Sequence, residues 1–178
     1  VVNDHSTDNG KEIVLNLIQR VSYPLMLIDM PPGHYGKKAA ITEGVGKSKN
    51  EIIVATDGDC SVSPNWLTTI NNAYKSSTVF VFGRVGYHKS KYLFQIMQNI
   101  EISVLVATGG VQHHLRIAGM CNGANLSFRR NAFNELNGYS GNDDLPTGDD
   151  EFLLRKMMSK YPEGIEFIKN HENMVITK

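Results

Sequence analysis

Short apolar runs alternate with helix-period segments through residues 1–83, and this alternation constrains the fold more than any other feature of the sequence. The first run, Val1–Val2, is the end of a strand, and each later run has the length of a buried strand. Each intervening segment repeats apolar residues at helical spacing. The predicted strands are Val1–Val2, Pro24–Met30, Glu51–Thr56 and Thr78–Gly83, and the predicted helices are Lys11–Arg20, Gly36–Lys47 and a helix capped by Ser63 that runs to Tyr74. This β-α-β-α-β-α-β order predicts an α/β fold with a mostly parallel sheet flanked by helices.

The rest of the sequence is less regular but does not indicate a second domain. Its length of 178 residues suits one domain, and no repeat or linker divides it, so we expect a single domain over residues 1–178. Gly109–Gly119 contains three glycines and two histidines and is predicted to be a loop. The other predicted elements are helices at 91–108, 131–137 and 149–160, strands at 120–128, 165–169 and 173–177, and a loop at 141–148.

Charge and cysteine content narrow the class of protein. Eighteen Lys and Arg residues balance eighteen Asp and Glu residues, so the net charge is zero. A protein whose main partner is a polyanion usually carries a basic surplus, and we therefore expect no nucleic-acid partner. Two cysteines, Cys60 and Cys121, cannot form a disulfide framework, which favours a reducing compartment. We expect a cytoplasmic domain, with the inner face of the cytoplasmic membrane as the alternative.

One apolar stretch, Tyr92–Val106, comes nearest to a membrane span. It falls short of the roughly 20 apolar residues that a span needs. It is also interrupted by Gln95, Gln98, Asn99 and Glu101. We interpret the stretch as an ordinary helix with a buried and an exposed face, and contact with a membrane or an acceptor molecule is the alternative.

Polar clusters follow the predicted strands, where open α/β sheets bind ligands. Asp57 and Asp59 are separated by one glycine directly after Glu51–Thr56. Such a carboxylate pair can hold a hard divalent cation through its oxygens and leave positions open for phosphate. An acidic turn with no ligand is the simpler interpretation of these three residues by themselves.

A second acidic cluster, Asp149-Asp150-Glu151, opens a predicted helix. Acidic residues there often only complement the helix dipole. A general base directed into a cleft is the functional alternative. Lys37 and Lys38, before another helix, could meet a phosphate or could simply be solvated.

Five segments in this order resemble the GT-A fold of family 2 glycosyltransferases. They are VVNDHSTDNG, GKKAAITEGV, EIIVATDGDCSVSPNWL, CNGANLSFRRNAFNELNGY and TGDDEFLL, which together run from residue 1 to about residue 154. The resemblance implies an inverting, hexosyltransferase-type enzyme. It would move a sugar from a nucleotide-sugar donor, usually UDP-linked, to a hydroxyl of a glycan or lipid-linked acceptor, as in cell-envelope polysaccharide synthesis.

The resemblance also implies roles for individual residues. Asp4 would contact the donor nucleobase, Lys37 would lie near the donor, and Asp57 and Asp59 would form the DxD motif. That motif would hold Mg²⁺ or Mn²⁺ and the donor diphosphate. In the strand CNGAN, the resemblance places Gly123 and Asn125 by the donor sugar and acceptor. In TGDDEFLL, it makes Asp150 the catalytic base, with Asp149 beside it.

Two departures from the family pattern qualify this interpretation. The family's first strand and helix do not precede VVNDHSTD, and no QxxRW motif follows the last predicted strand. We therefore expect a domain shortened at its N-terminus that by itself binds nucleotide poorly and turns over little or nothing. Either a C-terminal piece is missing as well or the enzyme is not of the processive type, and any membrane association is expected through segments outside this sequence. An inactive sugar- or nucleotide-binding module and a sugar-phosphate nucleotidyltransferase remain the alternative functions.

Overall fold

A computed structural model describes residues 1–142 and 147–177 of the chain. The chain divides into two compact units, Val1–Lys49 and Asn50–Lys178. The single domain expected from the sequence stays a prediction.

The first unit is a small β-α-β-α arrangement. Its elements are β1 (Val2–Asn3), α1 (Gly10–Ile18), β2 (Ile28–Asp29) and α2 (Lys37–Lys47). The strands pair in parallel, with Val2 opposite Ile28. A Cβ on Gly44 would lie 3.3 Å from the Val2 side chain, so α2 packs closely on β1. Parallel pairing of β1 and β2 through a crossover helix follows the alternation in the sequence.

The second unit is built on a four-stranded sheet in the order β3-β6-β4-β7. Strands β3 (Ile52–Ala55) and β4 (Phe80–Phe82) are joined by α3 (Trp66–Ala73). The chain continues through β5 (Val85–Tyr87), α4 (Leu93–His114), β6 (Leu126–Arg129), α5 (Arg130–Glu135), α6 (Asp149–Lys160), β7 (Ile165–Phe167), a 3₁₀ turn (His171–Asn173) and β8 (Val175–Thr177). Strands β5 and β8 form a separate parallel pair.

Strand β6 runs against its neighbours in the four-stranded sheet. It pairs antiparallel with β3 and with β4, whereas β4 and β7 are parallel. Three of the four strands of this sheet therefore point the same way. The sequence prediction of an α/β fold with a mostly parallel, helix-flanked sheet is confirmed, and the reversed strand is the one that carries the CNGAN segment to the sheet.

The core of the second unit lies on both faces of this sheet. Phe80, Leu126 and Phe128 come from the strands, and Leu153 and Met157 come from α6; all five are fully buried. Phe128 stacks on Phe133 of α5, with ring centroids 4.9 Å apart. Helix α5 is thus fixed by an aromatic contact to the strand that precedes it, and α6 contributes two fully buried side chains to the core.

Three local predictions were wrong. The predicted loop Gly109–Gly119 is helical as far as His114, because Gly109 and Gly110 allow close packing: a Cβ on them would lie 2.2 Å from the Met120 carbonyl oxygen and 2.6 Å from the Phe167 ring. Ser63 does not cap α3, since its hydroxyl donates instead to the Glu172 carbonyl.

The strand predicted at Met120–Phe128 begins only at Leu126. Residues before it form a turn closed by a hydrogen bond from the Asn125 N–H to the Asn122 carbonyl, 3.0 Å. Helix α6, by contrast, has the bounds that the sequence predicts.

Within the described residues, none of the helices has the length and apolar character needed to cross a membrane.

Candidate functional site

Asp4 lies on the exposed loop that follows β1. The Gly36 N–H donates 2.7 Å to one carboxylate oxygen of Asp4, and His5 Nδ1 lies 3.0 Å from the other. The His5 hydrogen bond and then the Gly36 hydrogen bond lower the pKa of the Asp4 carboxyl. The His5 ring also packs on Tyr35, with centroids 4.5 Å apart. Asp4 is therefore held ionised and in one place at the carboxyl end of its strand.

Lys37 is the first residue of α2 and follows Gly36 directly. Gly36 has φ +89°, a backbone conformation that favours glycine because a Cβ would be strained there. In this conformation the Gly36 N–H points towards Asp4, and α2 begins at Lys37. The predicted pair Asp4 and Lys37 is thus brought to one local structure in the first unit, the start of α2.

Asp57 and Asp59 lie on the turn after β3, as the sequence predicts. The turn is closed by the Cys60 N–H, which donates 3.2 Å to the Asp57 carbonyl. The Cys60 thiol also lies 3.6 Å from one Asp59 carboxylate oxygen. Asp57 is half-buried and Asp59 is exposed. The turn therefore presents two carboxylates at the end of a sheet strand.

The chemistry of this turn fits Mg²⁺ or Mn²⁺. Among the described residues, no group of three or more His, Cys, Asp and Glu side chains is placed to enclose a metal ion. Mg²⁺ is typically held by one or two carboxylates together with substrate phosphates, not by a full cage of protein ligands. Two carboxylate oxygens on one turn match that requirement, whereas a soft metal such as zinc would call for Cys or His ligands.

A direct contact joins the CNGAN turn to the start of α6. The backbone N–H of Gly123 donates 2.8 Å to one oxygen of the Asp150 carboxylate, across 27 residues of sequence. The Glu151 N–H donates 2.9 Å to the other oxygen. Two residues that the sequence assigned separately, Gly123 and Asp150, therefore form one unit of structure, and the carboxylate is held from two sides.

The first turn of α6 makes its surroundings electronegative. Asp149, Asp150 and Glu151 all lie in this turn, which starts at Gly148 with φ +80°. Burial, and then the charges of Asp150, Glu151 and Asp149, raise the pKa of the Cys121 thiol well above its ordinary value. Burial and the charges of Asp149 and Asp150 likewise raise the pKa of Tyr139. The helix N-terminus partly offsets this concentration of negative charge.

Asn125 is buried, with its side chain occupied by protein partners. It accepts a hydrogen bond from the Trp66 indole N–H at 3.0 Å and donates to the carbonyls of Arg84 and Asn173 at 2.8 and 2.6 Å. These bonds tie β6 to α3 and to the segments before β5 and β8. Its assignment to donor binding stays a prediction, and in this structure such a contribution would act through the position of the neighbouring Gly123.

A cavity of about 320 Å³ opens beside the CNGAN turn. Cys121 and Asn122 line it on one side, and the inward face of α4 lines it on the other, with Gln98 and Glu101 among its polar groups. Phe82, Leu105 and Phe167 contribute apolar wall. The residue after Asn122 is the glycine bonded to Asp150, so the cavity and the carboxylate share one turn of backbone.

Most of the chain matches a known sequence family. The sequence model described as glycosyl transferase family 2 matches residues 1–136. The chain belongs to glycosyl transferase family 2. The matched range contains every predicted donor-side residue and ends before α6, so the family assignment does not itself depend on Asp149 or Asp150. No curated protein sequence matches this family 2 chain significantly.

Solved structures agree with the family and the GT-A fold. The mannosyltransferase PcManGT from Pyrobaculum calidifontis, solved with GDP-Man and Mn²⁺, matches with a TM-score of 0.65 at 18% identity, over 99% of this chain and 46% of that one. A mycobacterial protein matches with a TM-score of 0.55 at 12% identity, over 99% of this chain and 53% of that one. The family 2 chain thus spans about half the length of these proteins.

Sequence reasoning missed the cavity and Tyr139. The Tyr139 hydroxyl is buried without a hydrogen-bond partner among the described atoms, near the acidic turn of α6. The helical continuation of α4 past Thr108 was also missed, because the glycines there pointed to a loop instead. The part of the predicted loop at 143–146 lies outside the described residues.

Proposed function

We propose that this family 2 chain transfers a sugar, with inversion, from a nucleotide-sugar donor to an acceptor hydroxyl, and that a divalent cation is required. The observation that carries the proposal is the hydrogen bond from the Gly123 N–H to the Asp150 carboxylate, 2.8 Å, at the edge of a cavity large enough for part of an acceptor. It supports a fixed carboxylate base next to an open space.

Asp150 is the general base in this proposal. A carboxylate has about four acceptor sites, and the two backbone hydrogen bonds leave room for an acceptor hydroxyl. As the acceptor oxygen forms its bond to the anomeric carbon, Asp150 takes the hydroxyl proton. The bond from that carbon to the donor phosphate oxygen breaks on the opposite face, and the nucleoside diphosphate departs with the electron pair.

Asp149 shares the first turn of α6 and contributes negative charge beside the base.

Asp57 and Asp59 are the residues that would hold the cation. When bound, Mg²⁺ or Mn²⁺ supplies charge stabilisation to the departing diphosphate. Asp4 is proposed to accept hydrogen bonds from the nucleobase, and Lys37 to lie near the donor. UDP is the proposed nucleotide, and GDP is the natural comparison because the structural neighbour PcManGT was solved with GDP-Man and Mn²⁺.

The cavity beside Asn122 is the proposed acceptor site. Its mixture of amide, carboxylate and apolar lining suits a glycan or a lipid-linked glycan. We place the reaction in the cytoplasm, where nucleotide sugars are made, in cell-envelope polysaccharide synthesis. Family membership favours glycosyl transfer over a nucleotidyltransferase reaction.

Calorimetric titration of UDP and GDP, each with and without Mn²⁺, tests the donor side. It should use both this chain and the longest natural polypeptide that contains it. Binding is expected to require Mn²⁺ and to be lost in Asp59→Ala. Asp8→Ala is the matched control, because Asp8 is an exposed acid outside the proposed site, and it should bind like the wild type.

Asp150→Asn separates an enzyme from an inactive module. This variant should still bind nucleotide but should not turn over a donor that the wild type uses. Metal-dependent binding without any turnover by the wild-type protein would support an inactive binding module. A folded protein that binds neither nucleotide would contradict the donor-site assignment.

A further inference from the structure

Helix α4 carries a continuous apolar face that is open to solvent. Its apolar residues recur at intervals of four, three, four and seven, which places them on one side of a 3.6-residue helix. They are 58–74% exposed: Leu93, Met97, Ile100, Val104 and Val111. At 1.5 Å per residue, this apolar stripe is about 27 Å long. Ala107, also exposed, lies between its last two members.

The opposite side of α4 is the one that packs on the protein. Ile102 contacts the buried cluster that contains Val85 and Val175. Gly109 and Gly110 bring the helix so close to Met120 and Phe167 that a Cβ on either would clash. The helix therefore cannot rotate to bury the stripe without losing these contacts, and the stripe stays on the outside.

Basic and aromatic groups flank the stripe at its N-terminal end. Lys89 and Lys91 are exposed, and within residues 1–142 and 147–177 neither makes an ion pair. The Lys91 ammonium lies 6.0 Å from the centroid of the exposed Tyr92 ring. Glu101 is the one acidic residue of α4, and it lies off the stripe, where it lines the cavity. The exposed face is thus apolar, with positive charge at one end and no acid on it.

We propose that the outer face of α4 lies flat on an anionic lipid surface. The apolar stripe would enter the boundary between headgroups and acyl chains, as interfacial amphipathic helices do. Lys89 and Lys91 would meet anionic headgroups, and Tyr92 would sit at headgroup depth, where aromatic side chains are favoured. No membrane-spanning helix is needed for this contact.

Charge favours a lipid surface over a second copy of the chain. A symmetric dimer through parallel α4 helices would bring the lysine pairs of the two copies together, at a cost in repulsion. An antiparallel arrangement would place each lysine pair near Arg116 of the other copy. The acid beside Arg116 is Glu163, which already pairs with Arg116 at 2.5 Å. An anionic surface, in contrast, complements both lysines at once. Lipid binding of this kind does not depend on glycosyl transfer.

Co-sedimentation with vesicles tests the lipid contact. Wild-type protein should bind vesicles of phosphatidylcholine and phosphatidylserine at roughly three to one, and should bind much less to pure phosphatidylcholine. Replacing Lys89 and Lys91 by Gln should weaken binding to the anionic vesicles by about fivefold for each lysine. Ile100→Ser with Val104→Ser should abolish it, because the centre of the stripe is then polar.

Leu67→Ser is the matched control. Leu67 is 60% exposed, like the residues of the stripe, but it belongs to a different helix, α3. This variant should bind vesicles like the wild type, and circular dichroism with emission from the buried Trp66 checks the fold of each variant. Binding that is absent, or that survives the stripe variants, would overturn the proposal. A dimer in solution that Ile100→Ser and Val104→Ser dissociate would assign the stripe to a second copy instead.

Discussion

The two compact units differ in how much buried core lies under their functional side chains. In Val1–Lys49, the buried apolar side chains are Met30 and Val45, and helix α1 has no buried residue. In Asn50–Lys178, a sheet buried on both faces supports α5 and α6. Each unit nevertheless holds a carboxylate in the same way, with the backbone N–H of a distant glycine: Gly36 for Asp4 and Gly123 for Asp150.

This difference fits the two roles proposed for Asp4 and Asp150. Asp4 is exposed and fixed mainly by polar contacts, which suits recognition of a ligand that brings its own interactions. Asp150 is half-buried at the N-terminus of a helix packed through Leu153 and Met157. A catalytic base needs such a rigid support, because a small displacement reduces the rate.

The largest expected effect separates the two carboxylates by their kinetics. Asp150→Asn should lower kcat by about 10²–10⁴-fold, the usual contribution of a general base, with little change in donor binding. Asp4→Asn should instead weaken donor binding by roughly 10–100-fold, as expected for loss of a hydrogen bond to a charged group. Steady-state kinetics with the donor that the enzyme turns over measure both, and equal effects on kcat would contradict the division of roles.

Core truncation tests the difference in support. Phe128→Ala in β6 should reduce the free energy of unfolding by about 3–5 kcal/mol, because a fully buried aromatic ring is removed. Ile13→Ala in α1 should change it by no more than about 0.5 kcal/mol, since Ile13 is exposed. Urea denaturation measures both values. A large loss from Ile13→Ala would mean that α1 is covered in solution.

Two helical glycines offer a matched pair across the units. Gly109→Ala should destabilise by about 1–3 kcal/mol, because its Cβ would lie 2.2 Å from the Met120 carbonyl oxygen. Gly46→Ala in α2 should stabilise by about 0.4–1 kcal/mol, because its Cβ would meet open space and alanine favours the helix. Thermal unfolding of the two variants should therefore shift in opposite directions.

The smallest effect concerns the ionisation of Asp4. Removing the ring in His5→Ala should bring the pKa of Asp4 back up towards its ordinary value of 3.8, while the Gly36 hydrogen bond keeps part of the shift. In the wild type the folded-state pKa lies below the unfolded value. The contact therefore stabilises the fold at higher pH, and its contribution is lost as the pH falls through the folded-state pKa. Carbon NMR titration of the Asp4 carboxyl gives the pKa in both proteins.

The predicted site residues differ in whether their contacts come from nearby or from distant parts of the sequence. Asp57 and Asp59 could be placed from the sequence because a strand and the turn that ends it are neighbours in the chain. The bond between Gly123 and Asp150 could not, since 27 residues separate them and only the tertiary fold brings them together. The burial of Asn125 could not be predicted from the sequence either, because its partners Trp66 and Asn173 come from distant segments.

The sequence by itself determined the α/β class, the family and the bounds of α6, because hydrophobic period and short motifs are properties of neighbouring residues. Only the tertiary structure decided the direction of β6, the length of α4 and which side of α4 is exposed. Gly109 and Gly110 show the reason. Their intrinsic preference opposes a helix, and a close approach to Met120 and Phe167 outweighs it. No local sequence pattern predicts long-range contacts of that kind.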